Sequence, residues 1–187
     1  TRHDVKAVEY FLKRRLTSAA AALGEGTSLP AASELVHIFC TSEDINNLSY
    51  AITIRSAVHE VWLPAATKVS DAVAQIAREQ AATPMLARTH GQPATPVTLG
   101  KELAVLTHRL RRQIARITSD ETLGKINGAT GTFGAHAISV PGTDWQEIAR
   151  TFVESLGLTW NPLTTQIESH DWQAELCAHV ARSHRVL

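Results

Sequence analysis

TSEDINNLSYAITIRSAVHEVWLPAATKVSDAVAQIAREQA, residues 41–81, decides the fold class. Ile45, Leu48, Ile52, Val58, Trp62, Val69, Val73 and Ile76 recur at intervals that suit a 3.6-residue period, so the stretch predicts one very long amphipathic helix. Pro64 removes one intrahelical donor, and a bend is expected there. Further on, Leu99, Leu103, Leu106, Leu110, Ile114 and Ile117 step by threes and fours, which gives a second long helix with an apolar seam to lay against the first.

Upstream, DVKAVEYFLKRRL (residues 4–16) sets Val5, Val8, Phe11, Leu12 and Leu16 on one side of another helix. AASELVHIFC (31–40) reads as short and helical. WQEIARTFVESL (145–156) reads as a helix opened by a Thr143–Gln146 capping box and closed by Gly157. The second half of residues 164–187 is helical again. GKINGATGTFGAHAISVPGTD (124–144) holds too many glycines for a helix and is expected to be loop with a short hairpin. The fold class is therefore all-α, a long-helix bundle with a short glycine-rich loop or hairpin excursion.

TSAAAALGEGTSLP (17–30) weakens the apolar pattern and gathers glycine and proline. Residues 1–30 are expected to be the end of an N-terminal helical domain with its connector, and residues 31–187 a central helical-bundle domain truncated at its C-terminal side. The last stretch, AELCAHVARSHRVL, carries no glycine or proline to end its helical pattern, and Thr1 stands where an initiator methionine would. The sequence reads as part of a longer polypeptide.

Lys+Arg and Asp+Glu each total 18, so net charge is near zero and no basic stripe invites nucleic acid. No apolar run approaches the roughly 20 residues of a membrane span, and no secretory leader is evident. A cytoplasmic protein without a membrane partner is expected. Cys40 and Cys177 are too few for a disulfide framework and read as two reduced, packed thiols. The nine histidines include no H-E-x-x-H pairing, the glycines follow no βαβ strand, and there is no G-K-[ST], so neither a metal nor a cofactor is expected.

ARTHGQPATP (87–96) is the first candidate for chemistry. Gly91 frees the backbone while Pro93 and Pro96 fix φ and withhold donors, which predicts a shaped loop. A lone histidine is more often structural, but a stiffened loop with Thr89 and Gln92 as positioning groups favours His90 as a general acid or base. In CTSEDINN (40–47), Thr41 and Ser42 stand before a helix whose first N–H groups lack partners. They read equally as an anion site or as simple N-caps, and Glu43 and Asp44 would repel an anion unless turned away. Arg2, His3 and Asp4 read by spacing as solvated groups and a cap. Gln166 reads as a turn residue, although its amide can donate to a carboxylate and accept from an amine.

RHDVKAVEYFL, CTSEDINN, RTHGQPATP and LGKINGATGTFGAH with TTQIE, in this order, resemble the adenylosuccinate lyases of bacterial purine synthesis, within the fumarase/aspartase superfamily. The resemblance covers nearly the whole chain. It implies that superfamily's helical bundle and β-elimination of fumarate from adenylosuccinate, giving AMP, and from SAICAR, giving AICAR. By the match, His90 is the general acid that protonates the leaving nitrogen. Arg2, His3, Asp4, Thr41, Ser42 and Gln166 are substrate-binding residues. A homotetramer with active sites shared between subunits is implied too. The family's mobile serine loop, with a Met-Pro-Lys-Asn core, has no counterpart here: the single methionine is Met85, followed by Leu86. An early Arg-Tyr pair and later nucleotide-holding arginines are also missing, so this segment alone is expected to be inactive. A sibling lyase of argininosuccinate lyase or fumarase type, or a noncatalytic helical scaffold, remains the alternative reading.

Overall fold

The computed structural model describes residues 2–23 and 27–187. Part of the proposed connector, residues 24–26, lies outside the described residues, as does Thr1. The chain divides into two compact units, one of Thr1–Thr53 with Leu123–Ser169 and the other of Ile54–Thr122 with His170–Leu187.

In the first unit, α1 (Asp4–Leu23) runs further than the apolar pattern alone marks out, because the alanines at 19–22 favour the helix they were read as interrupting. α2 (Leu29–Ser33) is a short helix with Pro30 in its first turn, and turns rather than helix follow it, His37 and Phe39 both taking positive φ. α3 (Ser42–Ser56) buries Asp44, Asn47, Leu48 and Ala51 on one face. β3 (Leu123–Gly124) pairs in parallel with β4 (Thr159–Trp160), and the short α6 (Gly134–Ser139) lies between them in sequence. α7 (Trp145–Ser155) is capped by Asp144, whose carboxylate accepts the Glu147 N–H at 3.0 Å. The cap thus sits one residue after the expected Thr143, since a carboxylate serves the helix dipole better than a hydroxyl. Gly157 ends α7 at φ 75°, as read from the sequence.

The second unit continues the long helical run. A π-helical turn (Ala57–Trp62) precedes α4 (Leu63–Glu79), and the Leu63 N–H reaches back to the Val58 carbonyl. Pro64 stands in the first turn of α4, where its missing N–H costs least, so the sequence break is taken up by a widened turn. α5 (Leu99–Thr118) packs along α4. Gly100 permits the approach: a Cβ there would lie 2.3 Å from the Ala77 carbonyl oxygen. α8 (Asp171–His184) joins α5, and His179 Nδ1 lies 2.8 Å from each carboxylate oxygen of Asp120.

Between α4 and α5 stands a two-stranded antiparallel ribbon, β1 (Pro84–Thr89) and β2 (Gln92–Thr98). The hairpin therefore forms on ARTHGQPATP, not in the glycine-rich 124–144 segment. Pro93 and Pro96 are tolerated because a ribbon of two strands has only edges. His90 and Gly91 form its tip with φ of 51° and 76°, the left-handed pair that a tight hairpin turn requires. No helix among the described residues is long and apolar enough to cross a membrane. Cys40 is half-buried while Cys177 is exposed, so only one of the two thiols is packed as expected.

Candidate functional site

Three distant stretches of sequence converge at the start of α3. The Gln166 side-chain amide donates to Thr41 Oγ1 at 3.2 Å, and Ser42 Oγ lies 3.3 Å from His3 Nε2. The Lys6 N–H points to His3 Nδ1 at 3.4 Å, and the direction of the Ser42–His3 bond follows the ring's tautomer. The Thr41 hydroxyl, accepting from Gln166, keeps its own proton for another acceptor. Asp4 follows His3 directly, with its Oδ1 accepting the Val5 N–H at 2.8 Å and 3.6 Å from His3 Nδ1. Arg2, just ahead, is exposed.

Neither hydroxyl is spent as a simple helix cap. Asp44 Oδ2 accepts the Thr41 N–H at 2.9 Å, the carboxylate half of a capping box, while the Asp44 N–H goes to the Thr41 carbonyl at 3.1 Å. Asp44 is fully buried and turned inward, 2.8 Å from the equally buried Lys125 ammonium. Its charge is matched inside the fold, so Asp44 turns away from any anion at this helix start. The same carboxylate accepts the N–H groups of Asn127 and Gly128, each at 3.1 Å. Asn47 fastens the segment again, accepting the Lys125 N–H at 2.8 Å and donating to its carbonyl at 3.0 Å. Asn127 donates to Thr164 Oγ1 at 2.7 Å, two residues before Gln166. Gly131, at φ 73°, lies so close beneath that a Cβ would be 2.2 Å from the Thr164 carbonyl oxygen.

Asp44, Asn47, Lys125 and Asn127 are what sequence reasoning missed. The available clue was that Asp44 and Asn47 share a helix face with Leu48 and Ala51, a face otherwise apolar.

His90 belongs to the other unit. Its side chain is exposed at the ribbon tip, and Arg88 braces the turn by donating to the Gly91 carbonyl at 3.2 Å. Among the described residues no group of three or more His, Cys, Asp and Glu is arranged to hold a metal ion.

A further cluster in the first unit surrounds His136, whose ring lies 5.0 to 5.4 Å from those of Phe39, Phe133 and Trp145. Burial pushes its pKa down, partly opposed by Asp44. Burial likewise pushes the neighbouring Cys40 thiol up to about 11, so it stays protonated. For His136 the linkage sign is definite. Below the usual histidine value of about 6.5 the unfolded chain takes up a proton that the folded ring refuses, so stability falls as pH drops from 7.5 towards 5. His136→Phe is expected to flatten that part of the stability–pH curve measured by urea midpoints; identical slopes would contradict it.

A family model described as "Lyase" matches residues 1–185. The chain belongs to this lyase family, in the fumarase/aspartase superfamily. It is 49% identical to adenylosuccinate lyase of Escherichia coli K12 over 187 residues, all of this chain and 40% of that protein. Identity is 46% to the Haemophilus influenzae enzyme with the same coverage, and 49% over 188 residues to that of Vibrio cholerae. The chain thus spans about 40% of the length of these curated relatives. Among solved structures, a fumarate lyase from Mesorhizobium sp. BNC1 superposes with TM-score 0.68 at 28% identity, covering 97% of this chain and 41% of that one. A 3-carboxy-cis,cis-muconate lactonizing enzyme from Pseudomonas putida gives 0.65 at 27%, covering 90% and 41%. The mostly helical, long-helix architecture read from the sequence is the one these lyases share.

Proposed function

We propose that this chain supplies the general acid and part of the substrate cradle of an adenylosuccinate lyase, which eliminates fumarate from adenylosuccinate to give AMP and from SAICAR to give AICAR. The observation that carries the reading is the meeting of Gln166 with Thr41, and of Ser42 with His3, in a chain 49% identical to such an enzyme. Thr41 and Ser42 offer their protons to a substrate carboxylate, while Gln166, Arg2, His3 and Asp4 complete the polar wall. Charge that develops on the succinyl carboxylate is met by donors already in place. His90 gives its proton to the departing nitrogen.

The base is not among these residues, since no serine loop with a Met-Pro-Lys-Asn core occurs in the sequence. The activity accordingly belongs to a longer polypeptide that brings one. Exposed Val69, Ile76 and Val105 on α4 and α5 support packing against further subunits, a homotetramer with shared sites. The boundary near residue 30 separates the N-terminal helical domain of that enzyme from its central bundle.

The test is turnover of both substrates, followed by their ultraviolet change, for the full-length protein and for the 187-residue chain. Turnover by the first and none by the second is expected. No turnover by the full-length protein, or no rise in its melting temperature with AMP, would sink the assignment in favour of a sibling lyase or a scaffold.

A further inference from the structure

The hydroxyls of Thr41 and Ser42 are aimed from behind by a buried group that touches no solvent. Asp44 holds four groups at once: the Thr41 N–H, the N–H groups of Asn127 and Gly128, and the Lys125 ammonium. Through Asn127 the same carboxylate reaches Thr164, and Gly131 is wedged against the Thr164 and Thr165 carbonyls, so the strand of chain that presents Gln166 is registered to the same point. Both ends of the Gln166–Thr41 bond thus trace back to one carboxylate.

We infer that Asp44 is a positioning residue for substrate binding, setting the Thr41–Ser42 hydroxyls and the Gln166 amide in register, and that Lys125 serves to make its burial tolerable. The inference rests on the substrate-binding reading of those three residues. An ion pair that served stability alone needs no bonds to the backbone on either side of the site. Here the carboxylate takes N–H groups from both the α3 start and the glycine-rich segment. Asparagine of the same shape offers one acceptor oxygen, and its amide would turn two protons towards N–H groups.

The test uses the full-length protein. Asp44→Asn raises KM for adenylosuccinate about 10- to 100-fold with a smaller change in kcat, since a misplacement of about 1 Å in a positioned group costs on the order of 10²-fold. Asp44→Asn with Lys125→Met leaves no unpaired buried charge. This double variant is expected to recover most of the melting temperature that Asp44→Asn loses while KM stays raised. If melting temperature and KM recover together, Asp44 is only half of a structural pair and the inference is overturned. Should Asp44→Asn fail to fold, the double variant carries the comparison by itself, and Asn127→Ala, which cuts only the arm to Thr164, is expected to raise KM as well.

The substrate reading is separable. If the wild-type protein does not act on adenylosuccinate, the Gln166 side-chain amide resonance in 15N-labelled protein still reports the register. It should move in the double variant, and an unmoved resonance overturns the positioning role.

Discussion

His90→Ala in the full-length protein is expected to lower kcat by about 10²- to 10⁴-fold, the usual loss when a general acid is removed, with KM and melting temperature near those of the wild type. Such a loss corresponds to roughly 3–5 kcal/mol in the barrier. Stability should be spared because His90 sits exposed at the ribbon tip, and surface changes of this kind usually fall within about 0.5 kcal/mol. The φ of 51° at His90 is the one its tight hairpin turn requires. His90→Asn, which tolerates the left-handed conformation, should fold equally well and be just as slow. A kcat near wild type in both variants would remove His90 from the chemistry, and a parallel fall in melting temperature would make it a structural turn residue.

The long helices were legible because apolar periodicity is local: Leu99 to Ile117 announce α5 without any knowledge of α4. The ribbon was not legible. PMLART and QPATPVT lack the alternation of a half-buried strand, since most positions are exposed and none is buried, and prolines are normally evidence against pairing. Pro64 was legible as a break in the helix's bonding, and a π-helical turn stands just before it. At the candidate site, hydroxyls before a helix and a glutamine in a turn could be noticed, but nothing local says that Gln166 meets Thr41. The sequence leaves open whether Asp44 faces an anion or turns away from it, and the structure turns it inward. Its burial depends on Lys125, far along the chain, and a partner at that distance leaves no periodic trace. Asn47 is the same case, spending its amide on Lys125 and on the Glu43 and Asp44 carbonyls.

That dependence makes the buried pair the place where one substitution should unfold most. Lys125→Met leaves the Asp44 carboxylate fully buried with three N–H donors and no cation, and breaking a buried pair from one side costs about 3–5 kcal/mol. Typical domains have only about 5–15 kcal/mol in hand. Asp44→Asn should be comparably damaging, because among the described residues the Lys125 ammonium then keeps only the Gly128 carbonyl, at 3.5 Å. Removing both charges together exchanges a costly desolvation for a neutral contact, which is often tolerated or even stabilising. The double variant should therefore lie well above the sum of its parents in a cycle of urea midpoints. Additive losses would mean that the two charges are solvated or independently partnered.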